Sequence, residues 1–316
     1  MEENSENNQP NLEVKKEEIV ETPKEKFNFG KFHDKYYKAL LLIPITLLII
    51  SLAYMFIFYS QNGDFLQKDI SLTGGTTITL LQKVDGAQLK LDLSDKLEDL
   101  NTREIYDLIT REEKALILET KSNLDVTKPI LEDYLGYELT EENSSIEFTG
   151  STLSEAFYKQ LIIAIILAFI FMAIVVFIIF RTIVPSTAVI ISAFADILMT
   201  LALVNFLGMK MSSAGIVAFL MLIGYSVDTD ILLTTRILKR QEGELNERLY
   251  GAFKTGITMT LTSLLAIFFA LIIVNSFSIV LSQIFMILTI GLSFDLLNTW
   301  ITNVSILKWY ALKKSK

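Results

Sequence analysis

The sequence of 316 residues has no cysteine and a single histidine, His33. Without cysteine, no disulfide bond supports any folded part of the chain. His33 precedes the apolar segments, so a proton path through those segments has to do without imidazole. The sequence also has no GxxxxGK[ST] run, so this chain does not supply ATP hydrolysis. We expect no cofactor, no bound metal and no enzymatic activity.

Apolar residues make up 51% of the sequence, and many of them lie in long blocks. Each block has about 20 residues, which as a helix spans a hydrocarbon core roughly 30 Å thick. We therefore predict six transmembrane helices, which excludes a soluble enzyme. The predicted spans are 39–58, 161–180, 183–207, 214–235, 252–274 and 277–300.

Lysine and arginine residues cluster at one end of each predicted span. The short loops at the other end contain only Lys210. This positive-inside pattern predicts a multi-pass protein of the cytoplasmic membrane with both termini in the cytoplasm. The clusters comprise Lys31, Lys35 and Lys38; Arg181; Arg236, Lys239, Arg240, Arg248 and Lys254; and Lys308, Lys313, Lys314 and Lys316.

The segment between the first two spans differs in charge from the rest of the chain. Residues 61–158 contain 20 Asp and Glu residues against 9 Lys and Arg residues, and such an acidic surface does not suit nucleic acid. The predicted units are a cytoplasmic tail with an interfacial lead-in at 1–37, transmembrane helix 1 at 38–60, an extracytoplasmic α+β domain at 61–158, transmembrane helices 2–6 at 159–302, and a cytoplasmic basic tail at 303–316.

Within the external domain, the sequence predicts four strands and two helices. Strand character is found in TTITLLQ (76–82), LKLDL (89–93), ALILET (115–120) and SIEFTG (145–150), and helical character in NTREIYDLIT (101–110) and DVTKPILEDYLG (125–136). Strands alternating with two helices favour a ferredoxin-like sandwich. Gly74 and Gly75 open the first strand, where adjacent glycines permit a turn or a close backbone approach.

The fourth span carries two aspartates, Asp228 and Asp230, followed by Arg236. A carboxylate in hydrocarbon costs a few kcal/mol, so the pair indicates partners or a function. At 100° per residue the two aspartates lie about 200° apart, on opposite sides of the helix. One polar stripe consists of Ser226, Asp230 and Thr234, and the other of Gly224, Asp228 and Thr235. We expect this helix to be wedged between its own bundle and a partner protein.

Other polar residues are predicted to lie near this pair in depth. They are Asp295 and Asn298 of span six and Thr258 and Thr262 of span five. Asp196, about 22 Å above Arg181, is expected to serve another pair. In a purely structural alternative, the aspartates pair with Arg236 or bind the threonines and hold the helices together. Close helix packing is predicted at Gly208, Gly215, Gly224, Gly256 and Gly291.

Three features together resemble the SecF family, in its archaeal form, of subunits of the SecDF protein-export complex. They are one external domain after the first span, the glycine pair that opens its first strand, and GYSVDTDILLTTR in the fourth span. The resemblance covers about residues 35 to 310 and implies membership of the resistance-nodulation-division superfamily. It also implies a SecD-like six-span partner, association with the Sec translocon, and use of the proton motive force to assist unfolded exported polypeptides.

The resemblance suggests site residues as well. Many bacterial members carry GYSINDTVVVFDR, so Gly224, Tyr225, Ser226 and Arg236 match while the acids are displaced in register. The candidate proton relay comprises Asp230, Asp228, Arg236, Ser226, Tyr225 and Thr235, with Asp230 favoured because its stripe is the more polar. The candidate supporting residues are Asp295, Asn298, Thr258, Thr262 and Asp196.

Two other functions stay open on the sequence alone. A stand-alone proton-coupled exporter of small molecules or lipids in the same superfamily would usually be a longer chain with two external domains and two bundles. An intramembrane aspartyl protease needs two membrane aspartates, for which Asp196 and Asp228 are candidates. That class expects YD and GxGD, whereas FAD and GYSVD stand in those places.

Overall fold

The computed structural model describes residues 39–107, 110, 112–239, 245–276 and 278–314. The predicted tail and lead-in at 1–37 lie outside the described residues. Within the described part, six helices are long and apolar enough to cross a membrane, which confirms the predicted number. They are α1 (Leu42–Asn62), α5 (Ser151–Phe180), α6 (Ile183–Phe206), α7 (Ser213–Leu238), α8 (Leu245–Val274) and α9 (Ile279–Leu297).

The last span does not end where the hydropathy pattern ends. A π-helical segment, Asn298–Asn303, continues α9 directly into α10 (Val304–Lys314). Most of the segment predicted as a cytoplasmic tail, 303–316, is therefore helical, and its place on the cytoplasmic side stays a prediction. Val304 and Leu307 are fully buried against Leu233 and Leu249, so packing rather than hydrophobic length holds this extension in place.

The domain between the first two spans, called the external domain after its predicted location, contains four strands and three helices. The strands are β1 (Gly75–Leu80), β2 (Asn101–Tyr106), β3 (Glu113–Thr120) and β4 (Ser144–Thr149), and the helices are α2 (Ile70–Thr73), α3 (Gly86–Leu93) and α4 (Leu124–Leu135). The sheet order is β2-β3-β1-β4 with antiparallel pairing throughout. With α3 and α4 as the connections, the order βαββαβ is ferredoxin-like, which confirms the predicted fold class, although the predicted elements followed the order ββαβαβ.

Two elements of this domain were predicted with the wrong type. LKLDL lies in α3, where Asp85 caps the helix by accepting from two backbone amides at 3.0 Å. Leu89 and Leu93 share the buried helical face, while Leu91 is exposed, so their alternation imitates a strand. Asn101 does not cap a helix but begins β2, because pairing with the distant β3 decides the conformation there.

The glycine pair lies where the domain meets the bundle. Gly74 and Gly75 have φ values of 84° and 148°, which side chains rarely adopt. A Cβ on Gly74 would clash with the backbone of Ser151 at the start of α5, and one on Gly75 would clash with the carbonyl of Thr120. The pair therefore allows β1 to pass close to both the bundle and β3, as the sequence predicts.

The central helices of the bundle are α6, α7 and α9. Of the residues in the apolar stretch of each helix, 56% are buried within the chain in α6 and in α7, against 6% in α5 and 17% in α8. α5 and α8 therefore present most of their surface to lipid or to a partner. Close packing is confirmed at three of the five glycines: Gly215 against Gln283 and Met211, Gly256 against Trp300, and Gly291 against Leu222.

Candidate functional site: a buried carboxyl cluster

Each of the three central helices carries a polar stripe with the spacing i, i+4, i+8. The stripes are Ser192, Asp196 and Thr200 on α6; Ser226, Asp230 and Thr234 on α7; and Asp295, Thr299 and Asn303 on α9 and its π-helical segment. At this spacing the three side chains of a stripe share one helix face. All nine side chains are buried, so three apolar helices enclose one polar interior.

Asp196 links α6 to both other helices. Its carboxyl group accepts hydrogen bonds from the Ser226 hydroxyl at 2.6 Å and from the Asn298 amide at 2.7 Å. The expectation that Asp196 serves a separate pair is therefore wrong. The depth of Asp230 was counted from Arg236, but α7 continues to Leu238. Asp230 therefore lies further from the end of the helix than predicted, and closer to the level of Asp196.

Asp230 and Asp295 share a single hydroxyl group. Thr299 Oγ1 lies 2.8 Å from Asp230 Oδ1 and 3.2 Å from Asp295 Oδ1, and the Asn303 amide donates to Asp230 Oδ1 at 2.7 Å. A hydroxyl has one hydrogen, so Thr299 donates to only one of these carboxyl groups at a time. The threonine thus connects the two acids through one movable hydrogen.

The π-helical segment brings the donors together. In a regular helix the side chains of Asn298 and Asn303 would lie about 140° apart around the helix axis. Here Asn298 reaches Asp196 while Thr299 and Asn303 reach Asp230. π-Helical turns are rare in proteins, and many of those known lie at functional sites.

Among the described residues, no cationic side chain pairs with these acids. Within the part of the chain that the structure describes, none of Asp196, Asp230 and Asp295 forms an ion pair. The Arg236 guanidinium instead donates to the Gly251 carbonyl at 2.7 Å and the Thr255 hydroxyl at 2.9 Å. The alternative in which Arg236 neutralises a membrane aspartate is therefore wrong.

Acceptors exceed donors in the cluster. Among the described residues, several buried oxygen atoms have no hydrogen-bond partner: Asp230 Oδ2, Asp295 Oδ2, Asn303 Oδ1, Ser192 Oγ and Thr234 Oγ1. Buried polar atoms are normally paired, so a set of unpaired acceptors at one place is unusual. A proton added to either carboxyl group would have acceptors within the cluster.

Apolar residues close the cluster toward the external domain. Leu222 of α7 and Leu288 and Leu292 of α9 are at most 2% exposed and form one core cluster between the acids and the domain. The unpaired oxygens of Ser192, Thr234 and Asn303 lie at the opposite ends of the stripes, toward the basic ends of the helices. The polar interior is therefore closed by apolar residues at the end near the domain and has unpaired oxygen atoms at the other end.

The other face of α7 is exposed. Asp228, Tyr225 and Gly224 lie there, opposite the buried Asp230, as the helical spacing predicts. A Cβ on Gly224 would meet nothing within 4 Å, so its predicted close packing is wrong within this chain, because no other helix covers that face. The same holds for Gly208, which with φ 68° forms a turn after α6.

Some predicted residues do not join the site. Thr235 is half-buried below the cluster. Thr258 and Thr262 are exposed on α8, and each hydroxyl donates to a carbonyl one turn earlier in the same helix. Asp228 is exposed whereas Asp196 is fully buried, so the pair that a protease would need is not formed.

Sequence reasoning missed Ser192, Thr299 and Asn303. The signal was present, since Asp295, Thr299 and Asn303 repeat every four residues. It was overlooked because the predicted span ended at Trp300, which placed the last donor outside the membrane. Ser192 likewise lies one turn before Asp196 on the same face.

Comparisons with known proteins identify relatives over most of the chain. The family model described as protein export membrane protein SecD/SecF, C-terminal, matches residues 132–313. The protein-export membrane protein SecF of Methanocaldococcus jannaschii is 40% identical over 282 residues, covering 87% of this chain and 96% of that protein. SecF of Methanothermobacter thermautotrophicus is 41% identical over 281 residues, covering 87% and 93%.

A solved structure has the same fold. The crystal structure of SecDF from Thermus thermophilus, described as a translocon-associated membrane protein, superposes with a TM-score of 0.69 at 19% identity. The match covers 90% of this chain but 39% of the SecDF chain. This chain therefore corresponds in fold to less than half of that molecule.

Proposed function

Because the chain belongs to the SecD/SecF family of protein-export membrane proteins, in its SecF branch, we propose that it is an accessory subunit of the Sec machinery. In this role it promotes the translocation of unfolded polypeptides across the cytoplasmic membrane together with a SecD-like subunit. The observation that carries the proposal is the match to SecF proteins over nearly their whole length, 96% of the first relative described above.

The exposed face of α7 is the proposed contact with the SecD-like subunit. Asp228 and Tyr225 lie on that face, and Tyr225 is 42% exposed. A carboxyl group facing lipid is costly, whereas a partner helix can supply a hydrogen-bond donor for it. Gly224 on the same face leaves room for close helix approach, as small residues do between membrane helices. This chain covers 39% of the solved SecDF chain, and the remaining length of that chain supports a SecD-like partner.

The proposed energy source is the proton motive force, with the carboxyl cluster as the site that takes up and releases protons. Neutral donors and unpaired acceptors around Asp230 and Asp295 support this, because they accommodate a carboxyl group in either protonation state. One charge moved through 100 mV is worth about 2.3 kcal/mol, enough to shift a conformational equilibrium more than tenfold. Membership of the resistance-nodulation-division superfamily is part of the same proposal.

The proposed orientation has both termini in the cytoplasm and residues 61–158 outside. Arg181, Arg236 and Lys239 lie at the end of the bundle away from the external domain, as the positive-inside rule requires. The domain would then face polypeptides as they emerge from the translocon.

The first experiment is affinity purification of the tagged protein from native membranes in mild detergent, followed by mass spectrometry. We expect a second six-span subunit together with translocon components. Asp228→Leu should reduce recovery of that subunit, whereas Thr258→Leu on the exposed face of α8 serves as the matched control. Recovery of a stable homo-oligomer alone would contradict the proposal and favour an independent transporter.

A further inference from the structure

A cleft of about 760 Å³ separates the external domain from the outer ends of the bundle. α3 and α4 pack on one face of the sheet through Leu89, Leu131 and the sheet leucines. The other face lines the cleft together with the short helix α2, opposite Gln283 and Met286 of α9. The cleft therefore lies between the external domain and the bundle. The chain joins the two along one side of the cleft, which we call the connected side.

The attachment of the domain is uneven. At the connected side, the Asp69 amide donates to the Met211 carbonyl at 2.9 Å and the Ser213 amide to the Ser71 hydroxyl at 3.1 Å. At the β2 edge, the Tyr106 amide donates to the Ser276 carbonyl at 3.3 Å and Arg103 reaches Asn275 at 3.5 Å. The Asp99–Lys210 ion pair at 2.7 Å holds the region just before β2, whereas the contacts of Arg103 and Tyr106 are longer, so the Tyr106 end of the β2 edge is where the domain can separate from the bundle.

Carboxyl groups line the cleft. A row of side chains crosses the sheet from Asn101 through Glu119 and Thr77 to Glu147. Glu119 faces Asp69 of the connected side, Arg103 of β2 and Lys210 of the α6–α7 loop. Glu119 itself forms no ion pair within the described residues, since Lys210 contacts Asp99 at 2.7 Å.

Burial gives these acids unusual titration behaviour. Burial, followed by the charge of Asp69, raises the pKa of Glu119 to about 7, and Lys210 and Arg103 only partly oppose this. Burial also raises the pKa of Asp69. Asp99 differs: burial acts to raise its pKa, but Lys210 and Lys121 outweigh it and lower the pKa.

We propose that the cleft is a proton-sensitive latch, in which protonation of Glu119 and Asp69 holds the external domain against the bundle and their ionisation releases it. The proposal goes beyond the export function and uses no residue of the carboxyl cluster. In the orientation proposed above, the latch senses the pH of the external side.

The sign follows from proton linkage. Opening the cleft hydrates Glu119 and returns its pKa toward the ordinary 4.5. The docked state therefore binds protons more tightly, so docking is strongest below the ordinary pKa and weakens as pH rises to about 7. Between those values each pH unit changes the docking equilibrium by up to about tenfold per proton. Asp99 titrates below its ordinary pKa and does not reverse this sign.

The absence of native cysteine provides the experiment. A cysteine at Thr79→Cys, on the cleft face of β1, reports opening, and one at Leu91→Cys, 73% exposed on α3, is the reference. Maleimide labelling rates are measured on the full chain, purified with any native partner, from about pH 5 to about pH 8. The ratio of the two rates cancels the intrinsic pH dependence of the thiol. We expect this ratio to rise steeply up to about pH 7 and to level off above it.

Glu119→Gln should keep the labelling ratio low and flatten its pH dependence, and Asp69→Asn should reduce the slope. Glu147→Gln, in the same row but two strands away, is the matched control and should keep the native profile. A thermal unfolding transition like that of the native chain shows that a variant has folded. A flat profile in the native chain, or a native profile in Glu119→Gln, would overturn the latch.

Asp230→Asn should leave the profile unchanged, so the latch and the proposed proton coupling can fail separately.

Discussion

Two regions of this molecule contain carboxyl groups with several hydrogen-bond or ion-pair partners, and the partners differ in charge. At the interface between the external domain and the bundle, Asp99 contacts two ammonium groups, Lys210 at 2.7 Å and Lys121 at 3.3 Å. Inside the bundle, Asp230 accepts from the neutral Thr299 hydroxyl and Asn303 amide, and no ion pair reaches it among the described residues. An ion pair fixes the ionised state of an acid, whereas neutral donors leave both protonation states accessible. The comparison separates a structural acid from one suited to change its charge.

The largest expected effect is the loss of the exchangeable proton in the cluster. Asp230→Asn keeps the size and the hydrogen bonding of the side chain but cannot ionise. We expect the stimulation of export by a proton gradient to fall at least about tenfold. The measurement is export into proteoliposomes that contain this subunit, its SecD-like partner and the translocon, with and without a gradient.

Asp228→Asn is the matched control for Asp230→Asn, because it removes a carboxyl group from the opposite face of the same helix. We expect the gradient response to survive this change. Equal losses in both variants would remove the distinction between the two faces of α7, and no loss in Asp230→Asn would refute its proposed role.

A smaller effect is expected from the hydroxyl that joins two acids. Thr299→Val keeps the shape of the side chain but removes the donor to Asp230 and Asp295. A typical hydrogen bond contributes about 0.5–1.5 kcal/mol, so gradient-driven export should fall about two- to tenfold and its pH profile should shift. Thr299→Ser restores the hydroxyl and should restore the profile. If Thr299→Val and Thr299→Ser behave alike, packing and not the hydroxyl explains the effect.

The smallest effect is expected at the interface of the external domain. Lys210→Met removes an ion pair whose side chains are 35% and 36% exposed, and such pairs contribute about 0.2–1 kcal/mol. The labelling ratio of the cleft cysteine should rise about two- to fivefold, and its midpoint should move to higher pH because Lys210 opposes the raised pKa of Glu119. Lys128→Met, which removes a pair within α4, should change neither quantity.

The external domain illustrates how far sequence patterns reach. The ferredoxin-like arrangement was predicted although the types of two elements were not. Leu89, Leu91 and Leu93 alternate like a strand, yet Asp85 and the buried pair Leu89 and Leu93 make this segment helical. Residues 101–106 form a strand because they pair with β3, from Tyr106 with Glu113 to Asn101 with Glu119, and the residues of 101–106 themselves carry no signal of that pairing.

The bundle shows the same limit in three dimensions. Helical spacing alone placed Asp228 and Asp230 on opposite sides, because 3.6 residues per turn leaves no other choice. Helical spacing did not predict that Asp196 joins the same cluster through Ser226, since the relative height of two helices depends on how their side chains pack. The π-helical segment also lay beyond prediction, because a widened turn depends on the tertiary partners that stabilise it.

The sequence by itself determined the number of spans, the family, the acidic external domain and the opposite faces of α7. These depend on hydrophobic length, residue identity and helical period, which are properties of the chain alone. Only the tertiary structure decided that Asp196, Asp230 and Asp295 meet, that Arg236 does not join them, and that Glu119 lies in a cleft. Those outcomes depend on which side chains compete for the same buried donors, and that competition exists only once the helices are packed.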